Sequence, residues 1–182
     1  EYSIALNDKN GRDAASSILT TVRVENNAQL AIAPYYYFTA SIYRGECTSS
    51  RVALMTAKSS DTSLYFAKIN GEQVWKLVEN YLDHTEDEFS ITNKYELPIL
   101  SGMKITVQKE ENGFLLKDIA VDQEKIDKEK EYSILLTDAT RSILEKTTPG
   151  CRIKRLPDMT LSSAWTAFMQ PLAPEDYIEV KK

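Results

Sequence analysis

The stretch Ser63–Leu64–Tyr65–Phe66–Ala67–Lys68–Ile69–Asn70–Gly71–Glu72–Gln73–Val74–Trp75–Lys76–Leu77–Val78 changes character at its centre. Ser63 to Ile69 has the apolar, aromatic make-up of a strand. Asn70–Gly71 is a strong tight-turn signal. From Glu72 to Leu82 the apolar residues Val74, Leu77, Val78 and Tyr81 recur at helical spacing and define one face. A strand that runs through a two-residue break into an amphipathic helix sets the architecture that the rest of the chain must complete.

Working outward, Leu30 to Ala33 reads as a short buried strand closed by Pro34. Asp13 to Val24 reads as a helix, with Asp13 as its cap, Ala14, Ile18, Leu19 and Val22 on one face, and Asn26–Asn27 as its end. Glu46 to Ser50 reads as a turn and helix start leading into Val52 to Met55. Ile99–Leu100 leads through Ser101–Gly102 into Lys104 to Gln108, where Ile105 and Val107 alternate with polar neighbours. Glu111–Asn112–Gly113 is a hairpin signal into Phe114 to Val121. Tyr132 to Leu136 is a further strand, and Thr137 to Lys146 a short helix with Ile143 and Leu144 inward. Pro149–Gly150 breaks the chain. Met159 to Met169 is expected to form an amphipathic helix with Leu161, Trp165, Phe168 and Met169 as its stripe, followed by an extended tail after Pro171 and Pro174. Interleaved helices and strands with hairpin signals make the fold class α+β, a mixed β-sheet with packed helices.

Bulk properties narrow the function. The 182 residues, 42% hydrophobic with ten tyrosines, suffice for a packed core and read as one domain, residues 1–182. A net charge of −5 speaks against nucleic-acid binding, which calls for a basic stripe. The longest charge run, Asp122 to Glu131, mixes signs and reads as a solvated turn or helix face. No run approaches the roughly 18 apolar residues of a membrane span. The chain starts at Glu1 rather than Met and reads as a piece of a longer protein. Cys47 and Cys151 leave both a long-range disulfide and two thiols open.

Catalytic inventory is poor. One histidine, His84, cannot hold a dinuclear metal centre or serve both a metal and a triad. It reads as a solvated residue just past the helix that ends near Leu82. The six glycines are scattered, so no phosphate-cradling loop is present. No catalytic residue and no metal ligand is assigned, and no cofactor is expected from this chain itself. Trp75, Trp165 and Tyr81 fall on apolar helix faces and read as core. The aromatic run Tyr35–Tyr36–Tyr37–Phe38 suits either core and loop packing or a recognition surface.

Ala31–Ile32–Ala33, Gly45–Glu46–Cys47–Thr48, Phe66 to Glu79, Leu97 to Gly102 and Lys130–Glu131–Tyr132–Ser133–Ile134 recur in one order. In that order and approximate spacing the chain resembles the C-terminal domain of the 5′-nucleotidase and nucleotide-sugar hydrolase family. The resemblance implies a substrate-binding, specificity domain that works with an N-terminal metallophosphoesterase domain, which carries the divalent metals. It also implies an extracellular, cell-surface or periplasmic setting in a bacterial-type protein. The departures matter. The family's Asn-x-Gly-Gly-x-Arg after the first strand is Pro34–Tyr35–Tyr36–Tyr37–Phe38–Thr39 here. Its Pro-Phe-x-Asn falls near Ala57–Lys58–Ser59–Ser60, and its second ring and Gly-Gly-Asp-Gly near Asp138–Ala139–Thr140–Arg141. Gly102 still matches. The expected ligand contacts are therefore Gly102, Tyr35, Tyr36 and Tyr37, with nucleotide or nucleoside held only weakly. The other reading is a non-enzymatic binding or scaffold domain of a bacterial surface protein that uses Tyr35 to Phe38.

Overall fold

The computed structural model describes residues 9–38, 63–83, 97–111, 113–161, 163–164 and 178–181. In chain order the described elements are α1 (Lys9–Glu25), β1 (Leu30–Ala33), a single 3-10 turn (Tyr35–Tyr37), β2 (Ser63–Asn70), α2 (Gly71–Leu82), β3 (Ile99–Ser101) and β4 (Lys104–Glu110). There follow β5 (Gly113–Val121), β6 (Glu124–Lys125), β7 (Glu131–Leu136), α3 (Asp138–Thr147), β8 (Ile153–Thr160) and β9 (Ile178–Lys181).

The Asn70–Gly71 break is a helix cap. Asn70 Oδ1 accepts from the Gln73 amide at 3.0 Å, and Gln73 Oε1 accepts from the Asn70 amide at 2.9 Å. The next two free amides, Gly71 and Glu72, donate to the carbonyls of Lys130 and Lys128 at 3.1 Å each. The α2 N-terminus thus leaves none of its first three donors orphaned. The predicted face is the buried one: Val74, Leu77, Val78 and Tyr81 are all in the core. Trp75 is the exception among the expected core residues. It is half-buried, with Lys128 Nζ 5.7 Å from its ring centroid.

Two sheets form. One has the order β3-β1-β7-β2-β8, with only β1 and β7 parallel; the other is β6-β5-β4-β9, with β4 and β9 parallel. The fold is α+β with mixed sheets. Strand alternation splits the first sheet into two faces. Leu30, Ile32, Ala67, Ile69, Ile134 and Leu136 join α2, α3 and the second sheet in the larger core. Ala31, Ala33, Leu64 and Leu135 pack under Ile18, Leu19 and Val22 of α1. In the second sheet the register shifts between Thr106 and Val107, so that both Leu116 and Ile119 of β5 stay on the buried side.

Several boundaries differ from the sequence reading. Helix α1 begins at Lys9, so Asp13 lies inside it and is not the cap. Its end is as expected. Asn27 takes φ 52°, and the amides of Asn27 and Ala28 return to the carbonyls of Val24 and Arg23, a Schellman closure. Met159 and Thr160 belong to strand β8, and helix begins only at Leu161. The stop is a capping exchange: Thr160 Oγ1 accepts from the Ser163 amide at 3.0 Å, and Ser163 Oγ from the Thr160 amide at 2.8 Å. Strand β8 itself goes unread because Pro157 and the charges of Lys154, Arg155 and Asp158 interrupt it. It tolerates them as an edge strand, bulged where Asp158 takes φ 55°. The charge run from Asp122 opens as a turn, with Asp122 and Gln123 both at positive φ. Cys47, Glu46 to Met55, His84, Trp165, Phe168 and Met169 lie outside the described residues; Cys151 is a free thiol.

Candidate ligand site at the ends of β1 and β7

β1 and β7 run parallel and end together, Ile32 beside Leu136. Carboxyl ends of parallel strands are where layered α/β folds place ligands, because loops and helix N-termini converge there. Here the converging segments are the tyrosine turn after β1, the start of α3 after β7, and the first residues of β2, where Tyr65 faces Leu136.

Pro34, at φ −61°, starts the turn, and its carbonyl accepts from the Tyr37 amide at 3.2 Å. The Phe38 amide closes it on the Tyr35 carbonyl at 3.1 Å. Phe38 is the buried anchor, only 2% exposed, while Tyr35, Tyr36 and Tyr37 are each half-buried. Their rings meet edge to face, with centroids 5.7 Å apart for Tyr35–Tyr36 and 4.9 Å for Tyr36–Tyr37. Such contacts hold aromatic rings in fixed mutual orientation. Tyr81 of α2 comes up beneath this turn. Its hydroxyl is buried and has no hydrogen-bond partner among the described residues. Burial first, then the neighbouring Tyr36 phenol, push its pKa well above the ordinary tyrosine range; the Tyr35 main chain pulls the other way without reaching bonding geometry. Arg12 fixes the chain entering β3, donating to the carbonyls of Leu97 at 2.9 Å and Pro98 at 2.6 Å.

On the α3 side the polar groups are tied to one another. Asp138 accepts from the Ser63 amide at 3.0 Å and from the Tyr65 hydroxyl at 2.7 Å. That hydrogen bond, then burial, raises the Tyr65 phenol above its usual value. Arg141 lies over the Tyr65 ring, 4.9 Å from its centroid, and bridges to Glu145 at 3.0 Å. Arg155 donates to Ser63 Oγ at 2.8 Å. Thr140 is buried, and its hydroxyl accepts from the Thr137 amide at 2.9 Å. This network was not legible as a site, since its members lie far apart in sequence. Among the described residues no group of three His, Cys, Asp or Glu side chains is placed to hold a metal ion. Among them, too, no helix is long and apolar enough to cross a membrane.

Gly102 is not with the tyrosines. β3 pairs antiparallel with β1, Ala33 opposite Ile99 and Ala31 opposite Ser101. Gly102 therefore lies beside Gln29, at the start of β1, roughly 13 Å along the strand from the tyrosine turn. Its neighbours are structural: Arg23 Nε donates to Ser101 Oγ at 2.7 Å, and a Cβ on Gly102 would collide with the Gln29 carbonyl oxygen. The fold thus gives glycine at this position a structural reason of its own.

The model of the 5′-nucleotidase C-terminal domain matches residues 6–142, most of the chain, and the chain belongs to that family. Its fold is also similar to solved structures. A 5′-nucleotidase precursor from Thermus thermophilus superposes with TM-score 0.69 at 13% identity, over 92% of this chain and 35% of that one. An NAD nucleotidase from Haemophilus influenzae gives 0.67 at 16% identity, over 93% and 33%. A sulfate thiohydrolase from Thermus thermophilus, solved with glycerol, gives 0.62 at 11% identity, over 92% and 32%. The chain thus spans about a third of the length of each. No curated protein matches by sequence.

Proposed function

We propose that this chain is the substrate-binding, specificity part of a 5′-nucleotidase-like hydrolase, and that its nucleotide-binding motifs are degenerate. The partner it would serve is an N-terminal metallophosphoesterase domain of the same protein, which would carry the divalent metals, in a cell-surface or periplasmic setting. The observation that carries the reading is the segment after β1. By the resemblance, an arginine-bearing glycine loop belongs there; Pro34 to Phe38 instead forms a closed turn of mutually packed tyrosines. The residues standing for the second ring and its glycines support it, because Asp138 and Arg141 are engaged with Ser63, Tyr65 and Glu145. A base lacking both rings forgoes about 1–3 kcal/mol per stack. What remains is a half-exposed aromatic surface, and the ligand contacts are Tyr35, Tyr36 and Tyr37. Gly102, remote from them, supports the fold.

The same tyrosine surface underlies the second reading, a binding or scaffold domain without an enzyme. Turnover separates them. This chain alone, supplied with Mg²⁺, Mn²⁺ or Zn²⁺, is expected to hydrolyse neither nucleoside monophosphates nor aryl phosphates above the buffer rate, because one histidine is too few for a dinuclear centre. Metal-dependent turnover that survives repurification would contradict this. The chain together with its preceding coding sequence is expected to hydrolyse a phosphate ester. Silence across a panel of esters favours the scaffold.

A further inference from the structure

Among the described residues, apolar packing on the α1 side of the first sheet reaches Phe66 and Leu156, which are only partly buried; next to them on β2 and β8 stand the charges of Lys68 and Lys154. A groove of about 490 Å³ opens beside them, where β2 and β8 meet the start of α2, lined among others by Phe66, Lys68, Gln73, Glu131, Arg152 and Lys154. Strand pairing explains the convergence. Phe66 faces Lys154, and Ala67 faces Ile153. Lys68 and Arg152 each stand one residue beyond that last pair and line the groove with Lys154, so three cations converge on it. Like charges gathered in one groove repel one another. Nothing relieves them locally: among the described residues none of the three forms an ion pair, although Glu131 lines the same groove. The neighbouring Arg155 points to the other face and is engaged by Ser63. In a chain of net charge −5 this is a local reversal of sign. We infer that the groove binds a small, multiply charged anion of the phosphate class, held by Lys68, Arg152 and Lys154 beside Phe66. It lies on the half of β2 away from Ser63 and Asp138, so it is separate from the tyrosine turn.

Pyrophosphate is the probe. Titrated into the nitrogen-labelled chain at about 20 mM ionic strength, where screening is weak, it is expected to give saturable amide shifts at Lys68, Arg152, Ile153 and Lys154, with a midpoint below about 1 mM. The variant K68Q/R152Q/K154Q should raise that midpoint at least about tenfold. The variant K109Q/K117Q/K146Q, with the same loss of charge elsewhere on the surface, should leave it within about twofold. Lys154→Glu alone should act in the same direction as the first variant, should the triple change disturb folding. Shifts that fail to saturate by about 10 mM would overturn the inference. Equal weakening in both triple variants would also overturn it, reducing the cations to the charged dressing of an edge strand. Adenosine carries no phosphate, so its binding or absence of binding bears on the tyrosine turn and not on this groove.

Discussion

A Gly102→Ala chain is expected to lose at least about 2 kcal/mol of stability in urea unfolding. Two effects add. Gly102 holds φ +74°, a left-handed conformation that costs an alanine about 1–2 kcal/mol. The new methyl would also run into the Gln29 carbonyl oxygen, and forced overpacking costs about 1–3 kcal/mol. Gln29 cannot easily retreat. Its amide donates to the Ser133 carbonyl at 3.0 Å, its side chain accepts from the Ser133 amide at 3.0 Å, and its own carbonyl accepts from Arg23 at 3.2 Å. Gly150 supplies the control, because it has φ +85° but nothing within 4 Å of a Cβ. Gly150→Ala should show the conformational cost alone. Equal losses at the two positions would show that the β1–β3 approach is not as close as described.

Replacing Leu77 by Ala is expected to cost about 2–5 kcal/mol. Leu77 is fully buried on the face of α2 that joins both sheets through the larger core. The cavity would open between elements that are fixed at each end, by the α2 cap on one side and by pairing within the sheets on the other, so little collapse can fill it. Lys76→Ala, one residue away on the exposed side, should stay within about 0.5 kcal/mol, because its 3.1 Å bridge to Glu72 is solvent-exposed. A loss under about 0.5 kcal/mol for Leu77→Ala would mean that α2 is turned the wrong way.

The strand–cap–helix unit was legible because its determinants are local. Asn70 and Gln73 are three residues apart, and the apolar face of α2 is periodic over the same few turns. Ile105 and Val107 announced β4 by alternation for the same reason. Strand β8 was hidden because an edge strand needs no apolar alternation, and Pro157 argues against a strand until its place at the edge is known. The Asp13 cap failed because the helix starts earlier, among residues without apolar periodicity. The α3 network could not be read at all: Asp138 meets Ser63 and Tyr65 across separations of 75 and 73 residues. The family resemblance groups Gly102 with the tyrosines through motifs matched along the chain. The antiparallel pairing of β1 with β3, which sequence order does not display, sets them at opposite ends of one strand. The tyrosine turn itself was visible as composition, but its significance came from the family resemblance, and its closed geometry only from the fold.

If the ends of β1 and β7 have lost nucleoside recognition, adenosine titrated into the nitrogen-labelled chain leaves the amides of Tyr35 to Phe38 and of Asp138 to Arg141 without a saturable shift below about 1 mM, equivalent to a binding free energy weaker than about −4 kcal/mol. Saturable shifts at those amides with micromolar adenosine would contradict it, and would mean that the tyrosines have rebuilt a clamp for the base.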